Sequence, residues 1–265
     1  MLAVSVVAAC GPAHHGGADA PSGADAAQLD GPLADGPAAS GPVHVVVTAD
    51  NAYSFGYGDV GGISSFTQGT RAHQAGDIFN CPVGVGPEAY DVPAASAPPG
   101  AYLYIASWDD LEVTQGVLGV FSRDSGTVLT GDMRFEVCGT GIDYSTGPDE
   151  DTGPTQDIIN AQIAICNAGT GDPATTTKGW VNSAGATTPN ALGKLAVGED
   201  NSDAGGDFPI TCQPTQTTDG VPADARWMWW DPADGSVADP FRSTGVNTFR
   251  AFLIFRLAAD SIVIE

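Results

Sequence analysis

Apolar positions along this chain gather in short β-branched or alternating runs, separated by glycine, proline, asparagine and aspartate. Val43-His44-Val45-Val46-Val47-Thr48-Ala49 is the first such run. After Asp50-Asn51, the aromatics Tyr53, Phe55 and Tyr57 recur at every second position, the spacing of one face of a strand. Together they predict a strand with a bend. Gly58 to Gly62 predicts a turn, and Ser64 to Phe79 a long polar connection with one short helical turn around Arg71 to Ala75. Ala101 to Trp108, entered from Pro98-Pro99-Gly100, predicts a central strand. Gly116 to Phe121 predicts another, closed by the hairpin-type stretch Ser122-Arg123-Asp124-Ser125-Gly126. Thr127 to Leu129 and Arg134 to Cys138 continue the meander.

Helical spacing appears at Ile158 to Ala164, with Gln156 or Asp157 as cap, and predicts a helix that covers one face or end of the sheets. Leu192 to Gly198 predicts a short strand, and Phe208 to Cys212 a return to the core. Ala225 to Pro232, if extended, puts Trp227 and Trp229 on one face and Met228 and Trp230 on the other. Thr248 to Leu257 predicts a long closing strand with Phe249, Leu253, Phe255 and Leu257 inward. The fold class expected is all-β: an antiparallel, jelly-roll-like β-sandwich over residues 43–265 with at most one short helix. A second lobe from about residue 139, divided near Gly139 to Pro154, is the alternative.

The first 42 residues follow no such pattern. Met1 to Ala9 is almost wholly apolar but far shorter than the roughly 20 residues of a membrane-spanning helix, which suits the core of a secretory signal. Gly11 to Pro42 is Gly, Ala, Pro, Asp and Ser with few larger apolar side chains, so a disordered tether reaching on the order of 30 Å is expected. His14 and His15 fall within it and make a poor metal site.

Charge removes one class of function. Thirty-two Asp and Glu stand against nine Lys and Arg, a net charge of −23, which repels phosphate backbones. No nucleic-acid partner is expected. Besides Cys10 the chain has Cys81, Cys138, Cys166 and Cys212, an even set that predicts two disulfides and an oxidising compartment. Three connectivities are open; Cys81–Cys138 with Cys166–Cys212 is preferred because each closes neighbouring segments. No cysteine spacing fits zinc, and His44 and His73 are isolated.

No nucleophile elbow, zinc-protease motif, Walker loop or dinucleotide fingerprint is present. Carboxylates beside aromatics, Asp109, Asp110 and Glu112 near Trp108 or Asp231 near Trp230, are nominal candidates for glycoside hydrolysis, but such neighbours arise by chance in so acidic a chain. The expectation is a non-catalytic binding domain. Trp227 and Trp229 would offer apolar faces to sugar rings, with Arg226 and Asp231 for the hydroxyls. If those rings are buried, protein adhesion takes precedence. Asp143, Asp149 and Asp151, in a glycine-containing acidic loop without EF-hand spacing, are the candidate ligands for Ca²⁺.

Two resemblances add to this. Val7-Ala8-Ala9-Cys10 resembles the signal of bacterial lipoproteins, in which an apolar residue and two small ones precede an obligatory cysteine. The resemblance implies cleavage before Cys10, lipid on its sulfur and membrane attachment, and Gly11 resembles lipoproteins sorted to the outer membrane or cell surface. No Lys or Arg precedes Arg71, so a basic leader upstream of the present start is expected. Thr48-Ala49-Asp50-Asn51-Ala52-Tyr53-Ser54-Phe55, followed by Tyr102 to Asp109 and Gly116 to Phe121, resembles galactose-binding-like jelly-roll sandwiches, with Gly56-Tyr57-Gly58-Asp59 replacing their usual Val-Asn-Gly. It implies a fold with the Asp-Asn on a strand bend.

Overall fold

The computed structural model describes residues 41–263 except 70, 73–74, 80, 82–85, 109–112, 145–151, 174–175, 203–205, 234 and 243–250. Cys10, the expected signal segment and nearly all of the expected tether lie outside the described residues. Two antiparallel sheets make up the domain.

In the first sheet, β1 (Val43–Asp50) lies between β4 (Glu88–Val92) and β6 (Gly116–Arg123). The far edge of β6 is shared by β7 (Gly126–Leu129) and β12 (Arg226–Asp231), and β11 (Lys194–Asp200) follows β12. The second sheet runs in the order β10 (Gly185–Ala186), β9 (Val181–Asn182), β8 (Glu136–Asp143), β13 (Ala251–Ala258), β5 (Ala101–Trp108), β2 (Ala52–Asp59) and β3 (Gly62–Gln68). Both sheets contain strands from before and after residue 139. The bend at Asp50-Asn51 is the corner where the chain leaves the first sheet for the second. Thr114 donates to Asp50 there over 2.6 Å.

Period-two alternation sorts the side chains of the second sheet. Leu103, Ile105, Leu253 and Phe255 face the core shared with Val45, Val47 and Phe121 of the first sheet, while Tyr104, Ala106, Trp108, Phe252 and Ile254 belong to a separate cluster. That second cluster is closed by α2 (Gln156–Ala168) through Ile159, Ile163 and Cys166. Helix α2 is longer than its hydrophobic spacing predicts because its ends are set by capping. Thr155, not Gln156 or Asp157, accepts the Ile158 N–H, and Gly169 at φ +63° turns the chain out of the helix.

Three expectations are corrected. The predicted polar connection contains β3, whose Ser64, Ser65, Thr67 and Gln68 hide its strand character, and the short helix α1 (Ala75–Phe79) comes after the turn expected at Arg71 to Ala75. The strand β4 has only Val92 fully buried and carries too little apolar pattern to be seen. The disulfides join Cys81 to Cys212 and Cys138 to Cys166, not Cys81 to Cys138 and Cys166 to Cys212. Pairing the cysteines in consecutive order misleads here because α2 packs on β8, while Thr211 donates to Ile78 of α1 and carries Cys212 alongside Cys81.

Arg123, at the end of β6, donates to the carbonyls of Gly41, Ala97 and Ala259. The chain therefore enters and leaves the sandwich at one end.

A non-reduced digest should yield the Cys81–Cys212 and Cys138–Cys166 peptides. Replacing Cys81 and Cys212 by Ser is expected to cost about 5 kcal/mol of unfolding free energy and replacing Cys138 and Cys166 about 3.6 kcal/mol, since the loops closed span 131 and 28 residues. Urea titrations of the two double variants check the order.

Candidate functional site

Strand β12 was the expected sugar platform, and its neighbours decide against it. It lies between β11 and β6, and Trp227, Met228, Trp229 and Trp230 are all buried. The Trp227 ring stacks on Phe208 at 4.1 Å and meets Phe79 edge-on at 6.0 Å, and Gly116 leaves room for it, since a Cβ there would come within 2.8 Å of the ring. Trp229 reaches Phe255 of the second sheet at 6.2 Å. Neither indole N–H has a hydrogen-bond partner. Trp108 and Trp180 are buried as well. Alternation puts side chains on two faces of a strand, but an interior strand covered on both faces leaves no ring for a ligand.

Arg226 and Asp231 sit at opposite ends of β12. Arg226 lies 3.6 Å from Asp200 and donates to the Gly198 carbonyl, which ties it to β11. Asp231 lies 3.4 Å from the Lys194 ammonium directly across the ladder and accepts the Ala233 N–H. This second pair opens onto a shallow cleft of about 410 Å³. Its walls are residues 194–197 of β11, Ser183 in the β9–β10 turn, and Ala238, Asp239, Pro240 and Phe241. Gln115 holds the last wall in place by donating from its backbone N–H to the Phe241 carbonyl and from its side chain to the Pro240 carbonyl. Arg242 forks onto Asp207 and lies 3.8 Å from Asp239.

Lys194 begins β11 and Asp231 ends β12, beside the start of β6, whose other end carries Arg123. The cleft thus lies at the end of the sandwich opposite Gly41 and Ala259. An ammonium, two carboxylates and a hydroxyl over a floor of Leu195 and Phe241 can bind and orient a polar partner. Lys194, Asp239, Ser183 and Phe241 escaped the sequence because β11–β12 register alone brings Lys194 to Asp231.

Of the calcium candidates, Asp143 ends β8 exposed to solvent, and Asp149 and Asp151 lie outside the described residues, as do Asp109, Asp110 and Glu112. Among the described residues no three His, Cys, Asp or Glu side chains converge as metal ligands would.

A buried polar cluster lies elsewhere. The Tyr53 hydroxyl is 2.6 Å from Glu88 and 2.9 Å from the Tyr90 hydroxyl. Burial first, then the adjoining Tyr90 and the Glu88 carboxylate, push the Tyr53 phenol well above its ordinary value. Tyr90 is pushed up to about 12, chiefly by burial, against an opposing hydrogen bond from Tyr53.

Trp227→Ala should lower unfolding free energy by about 3–5 kcal/mol, the range for a large buried aromatic, measured by urea titration. Native tryptophan emission should be blue-shifted and resistant to iodide. Phenols in the unfolded chain ionise near pH 10, so the folded state holds its protons more tightly above that point. The stability that these phenols contribute should be flat below about pH 10 and fall as pH rises towards about 12, and Tyr90→Phe should flatten that slope.

Comparison with protein-family models, curated proteins and solved structures finds no match to this chain.

Proposed function

We propose that this chain is an exported protein held at the cell envelope by lipid on Cys10, and that its sandwich is a non-catalytic interaction module for another surface protein. One observation carries this proposal. Arg123 gathers Gly41 and Ala259 at the same end, which leaves the opposite end, with the Lys194–Asp231 cleft, free to meet a partner. Two disulfides accord with an oxidising compartment outside the cytosol. No helix among the described residues is long and apolar enough to cross a membrane. The buried tryptophans move the weight from sugar to protein, because a sugar ring seeks an open aromatic face.

In cells, Cys10→Ala should shift the protein from the membrane fraction to the soluble one. A photo-reactive residue at Ser183, on the cleft, should crosslink a surface protein, and the same residue at Ser96, at the anchored end, should not. A glycan array should stay blank with calcium or with chelator. Array binding lost in Asp231→Ala would replace the protein partner with a carbohydrate.

A further inference from the structure

Five strands pair on one side only in the two sheets and are protected unequally, the off-path β7 having just four residues. An open strand edge pairs with any other available edge, and proteins blunt it with charge, proline, shortness or a cover. Strand β11 carries Lys194, Glu199 and Asp200; β4 carries Glu88 and Asp91 and runs into Pro93; β10 has two residues. Strand β3 has no charge, no proline and is not short. Its seven residues, Gly62-Ile63-Ser64-Ser65-Phe66-Thr67-Gln68, are uncharged and without proline in a chain of net charge −23.

What protects β3 is α2, and it does so by imitating a strand. The Asn160 carboxamide accepts the Ile63 N–H at 2.6 Å and donates to the Ile63 carbonyl at 3.0 Å, the two bonds a paired residue would make. Gln156 also donates to the Ile63 carbonyl, Asn167 donates to the Val60 carbonyl, and Gln68 donates to the Thr152 carbonyl just ahead of the helix. The helix is fastened to the body of the sheet by Cys138–Cys166, which joins its last turn to β8.

We infer that α2 is a disulfide-latched guard over β3, and that β3, once uncovered, pairs antiparallel with β3 of a second copy of this chain. A strand pairing about a two-fold axis meets its own sequence reversed, and an uncharged strand presents no like charges to itself. Unlatching is a thiol–disulfide exchange. A dithiol gives two electrons and two protons to Cys138–Cys166, which becomes two thiols, and the dithiol closes to its own cyclic disulfide. Ile159 and Ile163 still hold the helix on its cluster, so opening is a local fluctuation made more frequent rather than a permanent release. Because each copy carries −23, pairing strengthens with salt.

The test compares the full chain with its Cys138→Ser/Cys166→Ser variant by hydrogen exchange and sedimentation. The Ile63 amide and the α2 amides should exchange together about 400-fold faster in the variant, the factor a 28-residue loop implies. A dimer should appear, grow with salt and vanish when Ser64→Lys adds a charge to the exposed edge. Unchanged exchange at Ile63, no dimer at any salt, or a dimer that survives Ser64→Lys overturns the inference. If the double variant does not fold, Asn160→Ala, which keeps both disulfides and removes both Asn160 bonds to Ile63, carries the same two readouts with a smaller change in exchange.

Discussion

The structure depends on β13 being buried on both faces. Phe252, Leu253, Ile254 and Phe255 follow one another in that strand and none touches solvent. Consecutive apolar residues point to opposite sides of a sheet, so both sides must be covered. Leu253 and Phe255 require the first sheet; Phe252 and Ile254 require α2 and the cluster around Trp108 and Trp180. Three layers follow from one strand, and the Cys138–Cys166 bridge clips the third layer to the second.

Charged and phenolic groups in this interior are answered by partners. Arg256, on the same strand, is kept by Glu136 at 2.6 Å, by Asn167 and by the face of Trp180 at 3.8 Å. Tyr104 donates to the Asp59 carbonyl at the edge of the same cluster. The bare indole N–H groups of Trp227 and Trp229 are among the exceptions, at the place where aromatic packing against Phe208, Phe79 and Phe255 outweighs hydrogen bonding. A strand that gives up those bonds in exchange for ring contacts is built for packing, not for presenting tryptophan to a ligand.

How much of this could be read from the chain varies with burial. Strands β1, β5, β6 and β13 were legible because their β-branched or aromatic runs have few other uses. Strands β3 and β4 were not, because an edge strand half open to water needs no apolar stripe and Ser64, Ser65 and Asp91 read as loop. Helix α2 was legible in its apolar spacing but not in its length, which Thr155 and Gly169 determine. The disulfide partners and the cleft were beyond reach for a common reason. Cys81 meets Cys212, and Lys194 meets Asp231, only through register and layer packing, which no local pattern encodes.

The Arg123 clamp has a mechanical consequence. In a chain held through the residues before Gly41 and pulled at the cleft, tension enters at the start of β1 and leaves at the far end of the strands. The load then runs along the strand axes and crosses from β1 through β6 towards β12, so the β1–β6 ladder bears it in shear instead of opening one bond at a time. Such a domain would resist drag on a captured partner far better than its modest size suggests.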